Sequence, residues 1–126
     1  MRKKWSRHWI RSIQPRKQRK YVHNAPLHII HKIFASMLSK ELKKKYGKNS
    51  LTLRKGDKIK ILRGQFKDKT GKVEKVSLSK RKVYIEGIYI LKKDGKRSQY
   101  AIHPSNLMIM ELNLEDKKRI KILDRK

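Results

Sequence analysis

The chain has 126 residues, of which 37 are Lys or Arg and 10 are Asp or Glu, for a formal net charge of +27. A compact monomer with that charge repels itself, and a polyanion that sheds counterions as its phosphates are neutralised is the partner class that relieves the repulsion. With no cysteine there are neither disulfides nor thiolate metal sites, and no apolar run reaches the ~20 residues of a membrane span.

Binding to an acidic membrane would want a basic amphipathic helix with a clean apolar face. Residues 1–20 are basic but are followed by no apolar stretch, so they do not form a signal peptide, and the expectation is a soluble intracellular protein. Apolar residues make up 37%, against ~45–50% in an ordinary globular domain. About half of them fall between Leu51 and Met110, which predicts one compact domain with polar extensions.

Residues 1–26 read as an extended basic arm. They hold nine Lys and Arg and no acid, and Pro15 and Pro26 interrupt a helix. Trp5 and Trp9 stand four apart, on one face of any short helix, where they would either dock on protein or stack on RNA bases. Residues 27–49 read as helical in two pieces. Leu27, Ile30, Ile33, Phe34, Met37 and Leu38 recur at helical spacing. Ser39 can then cap a second helix that has Glu41 in its first turn, Lys43, Lys44 and Lys45 near its end, and Gly47 as its stop.

From about residue 50 to 112 the pattern alternates. Residues 57–62, 71–76 and 82–86 read as strands, residues 89–91 and 99–102 as a pair joined by a turn at Asp94-Gly95, and residues 107–110 as a last strand. So many short strands and tight turns predict a mainly β chain, with a small barrel that leaves no exposed sheet edge. Residues 113–126 read as a short C-terminal helix, with Asn113 as cap and Glu115 and Asp116 in the first turn.

The most informative stretch is Arg54-Lys-Gly-Asp-Lys-Ile-Lys-Ile-Leu-Arg-Gly-Gln-Phe-Lys-Asp-Lys-Thr-Gly-Lys-Val-Glu-Lys-Val76. Two alternating strands flank a loop that has Gly64 and Gly71 at its ends and carries Arg63, Lys67, Lys69 and Lys72. The glycines can take positive φ and admit a second backbone at close range. Cations on a tight, rigid loop suit phosphate contacts that fix register without reading sequence. Arg54 and Lys55 at the start of the stretch, and Arg16, Lys17, Arg19 and Lys20 in the arm, complete the candidate RNA-binding set. The bland alternative is a hairpin with solvated charges; the net charge favours RNA.

This stretch resembles the KOW motif: a short alternating strand, then Arg-Gly-x-Phe-Lys-x-x-x-Gly-Lys-Val, with Gly71 at the hallmark glycine. Asp68 stands where that family usually has Gly, and Asp tolerates a left-handed backbone better than most residues. The flanks Pro15-Arg-Lys-Gln-Arg-Lys20, Asn24-Ala-Pro-Leu-His28, Leu38-Ser-Lys-Glu-Leu42, Tyr46-Gly47 and His103-Pro-Ser-Asn106 resemble the archaeal and eukaryotic branch of the large-subunit ribosomal protein L-twenty-four family, called L-twenty-six in eukaryotes. The resemblance covers roughly residues 14–116. It implies an SH3-like barrel bound near the 5′ domain of the large-subunit rRNA, beside neighbouring ribosomal proteins. It also implies a role in subunit assembly, a place at the rim of the nascent-chain exit tunnel, and residence in cytoplasmic ribosomes.

KOW modules also occur in NusG-type transcription factors, which normally carry a mixed α/β domain ahead of the barrel; residues 1–50 show no strand pattern to supply one. A chromatin protein coating DNA is the other rival. His23, His28 and His31 lie close in sequence, but with no Cys, and no Asp or Glu before Glu41, no metal site is expected. His103, before Pro104, is expected to close a turn, and neither it nor the nearby Ser105 is read as part of a catalytic set. Glu74 and Glu86 read as lysine partners. No nucleophile, base and orienting group come together, so neither an enzyme nor a cofactor or small-molecule substrate is expected.

Overall fold

A computed structural model describes Trp5, Ser6, His8 and residues 12–125. In chain order it has α1 (Pro15–Asn24), α2 (Leu27–Ile33), β1 (Ala35–Leu38), α3 (Lys40–Tyr46), β2 (Ser50–Thr52), β3 (Lys58–Ile61), β4 (Thr70–Ser77), β5 (Lys82–Leu91) and β6 (Arg97–Ile102). A 3-10 turn (Pro104–Asn106), β7 (Leu107–Glu111) and α4 (Lys117–Asp124) complete it.

The seven strands form one sheet in the order β2-β1-β7-β3-β4-β5-β6. Every ladder is antiparallel except β1 with β7. All seven strands send side chains into one core: Leu38, Leu51, Ile59, Ile61, Val73, Val83, Ile85, Ile88, Ile102, Leu107 and Ile109, with Phe34 and Leu123 contributed from outside the sheet. The chain is therefore mixed α/β rather than mainly β. Among the described residues no ladder joins β2 to β6, so the expected barrel is observed as a seven-stranded sheet gathered about a single core.

Two N-terminal expectations are corrected. The arm is not extended throughout, because residues 15–24 are helical. Pro15 sits at the first helical position, where its missing N–H and fixed φ suit a helix start, and Pro26 comes after the helix has ended. The helix expected through Leu38 stops at Ile33. Phe34 breaks it at φ −76°, ψ 68°, and residues 35–38 enter the sheet between β2 and β7. In β1, Ser36 and Leu38 face inward, and the Ser36 hydroxyl donates to the Pro104 carbonyl at 2.6 Å. The helical spacing holds over the first turns, but the vacancy beside β7 overrides it afterwards. The sheet thus begins before residue 50, inside the segment expected to be helical. α3 follows as its sequence predicts, with the Ser39 Oγ accepting from Leu42 N–H at 3.3 Å and Gly47 left-handed at φ 63°.

β2 was not expected; β3, β4, β6 and β7 fall within two residues of expectation, and residues 82–91 are one long strand. Its ladder to β6 shifts register between Tyr84 and Tyr89, around Gly87. The cap of α4 is Asp116, whose Oδ1 accepts from Lys118 N–H at 2.7 Å, and not Asn113. Asn113 uses its side chain in a turn of its own, accepting from Glu115 N–H at 3.0 Å. Both residues can form such turns, and the sequence alone did not separate them.

One buried ion pair joins the two ends of the sheet domain. Asp57, just before β3, meets Arg119 of α4 through two hydrogen bonds, at 2.6 and 2.7 Å, and both side chains are almost wholly buried. Asp57 also accepts the backbone N–H groups of Arg54 at 2.9 Å and Asn113 at 3.0 Å. Arg119 donates further to the carbonyls of Asn113 and Thr52. So many partners are what a desolvated carboxylate and guanidinium require.

Candidate nucleic-acid interface

The loop between β3 and β4 is held from inside. Phe66 is buried and packs on the Tyr100 ring, with centroids 5.1 Å apart. Backbone bonds from Asp68 N–H to Ile61 O (2.8 Å), Ile61 N–H to Lys69 O (2.9 Å) and Lys67 N–H to Gly64 O (3.0 Å) close the turn. Gly64 and Asp68 take the positive φ angles, 97° and 65°. Asp68 therefore serves where the KOW pattern has Gly. Its carboxylate pairs with Lys60 at 3.0 Å, and the hydrogen bond and charge of Lys60 hold it below the usual carboxylate range. With Phe66 turned inward, Arg63, Lys67, Lys69 and Lys72 are left exposed.

Gly71 departs from one of its two expectations. It has no positive φ and sits in regular strand. Its small size is needed because β5 lies against it: a Cβ there would come within 2.7 Å of Ile85 Cγ2 and 2.9 Å of the Glu86 carbonyl. The close backbone is the chain's own.

On α1, Arg16, Lys17, Arg19 and Lys20 are all exposed, and the first turn contains no acid. Trp5 stacks on Tyr21 with centroids 5.0 Å apart; Trp9 lies outside the described residues. Three hollows connect this helix to the loop. One is lined by Arg16, Arg19, Lys20, His23 and Arg81. The next holds Val22, Arg81 and His103. The third holds His103, Lys82, Arg63 and Gly64. Arg81 and His103 are each shared between neighbouring hollows, so α1 is connected along one surface to Arg63, while Lys67, Lys69 and Lys72 line none of the three. No Asp or Glu lines any of the three.

Arg54 and Lys55 lie elsewhere. They line a separate groove of about 810 Å³ together with Glu74, Lys75, Glu115 and Asp116. Arg54 is engaged by the Asp116 carboxylate, whose pKa is lowered first by the Lys118 backbone N–H and then by Arg54. Glu74, read as a lysine partner, instead accepts from the Gln99 amide at 2.6 Å.

His103 precedes a turn, as its Pro104 predicts, and the turn brings its ring onto Ser105. The His103 Nδ1 lies 2.8 Å from the Ser105 hydroxyl and accepts the Ser105 backbone N–H at 3.3 Å. Burial against its neighbours, and then the charges of Lys82 and Arg81, push the imidazole pKa down. The sequence reading missed Arg81, Lys82 and His103 as parts of the surface. The available signal was the run Lys80-Arg-Lys82 in a hairpin turn that contains no Gly.

Among the described residues no three His, Asp or Glu side chains cluster as metal ligands, and no helix is long and apolar enough to cross a membrane. The profile of the family that unites the eukaryotic ribosomal proteins L26 with their archaeal L-twenty-four counterparts matches residues 12–126. The chain belongs to that family. The match spans the flanks as well as the loop, and so decides between the ribosomal family and the transcription factors that share the KOW motif. As a family member the chain is a structural, non-enzymatic protein of the large ribosomal subunit, with rRNA and ribosomal proteins as its partners.

Proposed function

We propose that this ribosomal protein grips large-subunit rRNA, in the 5′ domain, through the β3–β4 loop and α1 acting as one surface. The sheet serves as the SH3-like support; its single core, fed by all seven strands, favours that reading. The observation that carries the proposal is the acid-free run of hollows from Arg16 and Lys20, past Arg81 and His103, to Arg63. Closely spaced phosphates of packed RNA helices demand such an array, because folded RNA is met through backbone and shape more than through base edges. Arg54 and Lys55, in the mixed-charge groove, would contact RNA at its margin. On this reading the protein works in cytoplasmic ribosomes, supports subunit assembly and lies near the nascent-chain exit tunnel.

Protein-free transcripts of each large-subunit rRNA domain would be titrated with the full chain, and cell extract would be fractionated on sucrose gradients. The expected result is tightest binding to the 5′-domain transcript and co-sedimentation with large subunits and their precursors. Equal affinity for every transcript would overturn the 5′-domain assignment. Absence from precursor particles would overturn the assembly role.

A further inference from the structure

The β4–β5 turn contains a backbone feature that its sequence does not favour. Arg81 has φ 52°, in the left-handed region, and its N–H closes the turn onto the Leu78 carbonyl at 3.1 Å. Gly or Asn takes such a position with less strain. A strained backbone under a charged side chain indicates that the side chain is wanted there. Arg81 is half-buried and lines both of the hollows that run from α1 to His103. Lys82 and His103 line the next one, opposite Arg63.

We propose that Arg81, Lys82 and His103 form a phosphate-binding node that clamps one phosphodiester of the RNA backbone between α1 and the Arg63 loop. The assignment rests on the rRNA-binding reading and adds to it a site outside both basic segments. The groups facing His103 are Arg81 from the turn, Lys82 from β5, Arg63 from the loop and Ser105 beside it, with no carboxylate among the residues lining either hollow. In the free protein the partly covered setting of the imidazole, and then the charges of Lys82 and Arg81, push its pKa down. A phosphate seated among them offsets part of that positive charge and raises the imidazole pKa, so RNA binding takes up a proton. Affinity therefore increases as pH falls through the bound-state pKa.

The test uses full-length chains carrying Arg81→Gly, His103→Asn, or the four loop substitutions Arg63, Lys67, Lys69 and Lys72 to Gln, with a 5′-domain rRNA transcript as probe. Glycine fits the left-handed turn, so R81G is expected to melt at or above the wild-type temperature and still bind about tenfold more weakly, as removal of one charge-assisted hydrogen bond predicts. The wild type is expected to bind more tightly at pH ~6 than at pH ~8, and H103N to lose that dependence while keeping a side-chain acceptor for the Ser105 N–H. R81G binding at wild-type strength, while the loop variant is weakened, would overturn the node and leave the rRNA reading standing. A lower melting temperature for R81G would overturn it too, since the arginine would then be there for packing. A wild-type chain that binds the transcript no better than a tRNA would overturn both.

Discussion

At the position of Gly71 the space for a side chain is taken by the neighbouring strand. A Cβ would meet the Glu86 carbonyl at 2.9 Å, and a backbone atom in mid-sheet cannot swing aside. Gly71→Ala is therefore expected to destabilise the fold by about 1–3 kcal/mol, as overpacking does, with Val and Asn worse than Ala. At Gly64 the ranking should differ. Its φ is 97° with open space around it, so Asn should be tolerated better than Ala, because only backbone strain is at stake. Urea melts of the free full-length chain would check both rankings, and a Gly71→Ala variant as stable as wild type would contradict the first. The residues that were legible in the sequence were those whose reason is local. The Ser39 cap, the Gly47 stop, the Gly64 turn and the tolerance of Asp68 for a left-handed backbone all follow from a few neighbouring residues. Of the two reasons offered for Gly71, positive φ fails and close approach of a second backbone holds, but the neighbours that impose it, Ile85 and Glu86, lie on another strand. His103 was likewise assigned a turn, but not its bond with Ser105 or its place beside Arg81.

At the level of elements, α4 is fastened to the sheet by Arg119 on Asp57 and by Leu123 in the core. Removing one member of a buried pair leaves the other charged and unpaired, which costs about 3–5 kcal/mol. Arg119→Ala should cost that much and should raise amide exchange throughout α4. Asp57→Ala should cost a similar amount, because it also strands the Arg54 and Asn113 backbone N–H groups. The two losses share one interaction, so the double variant should be more stable than their sum by more than ~1 kcal/mol. Strict additivity in chemical denaturation would mean that the pair contributes nothing beyond its separate contacts. Nothing in the sequence announced this pair: Asp57 read as the polar start of an alternating strand, and Arg119 falls in a segment read only as a short C-terminal helix. Strands were legible wherever a period of two ran unbroken, as in β3 and β4. β1 was not, because Phe34, Met37 and Leu38 continue a helical spacing and only the site between β2 and β7 makes the segment extended.

For the molecule as a whole the question is how the net charge of +27 is deployed. Some cations are engaged within the protein: Arg119 on Asp57, Arg54 on Asp116, Lys58 on Glu111 and Lys60 on Asp68. Arg16, Arg19 and Lys20 of α1 and Arg63 of the β3–β4 loop have no acid among the residues lining their hollows and are available to phosphate. Each phosphate left without its cation should lower the log–log salt slope of RNA binding by roughly 0.7–0.9. Changing Arg63, Lys67, Lys69 and Lys72 to Gln should therefore flatten the slope by up to about 3 and weaken binding at low salt. Changing Arg16, Lys17, Arg19 and Lys20 to Gln should act in the same sense. If loop and helix grip one continuous run of RNA, the two sets should not be independent. Without its anchor on the loop, part of the RNA would come away from α1, and the combined variant should lose less slope than the two sets summed. Arg54→Gln provides the contrast. It breaks the bond to Asp116 in the mixed-charge groove, so it should change stability more than salt slope. Salt titrations of all four variants beside the wild type, on one rRNA transcript, would decide. Full additivity would mean that α1 and the loop bind separate RNA segments, and a slope unchanged by the loop variant would mean that the loop faces protein or solvent instead.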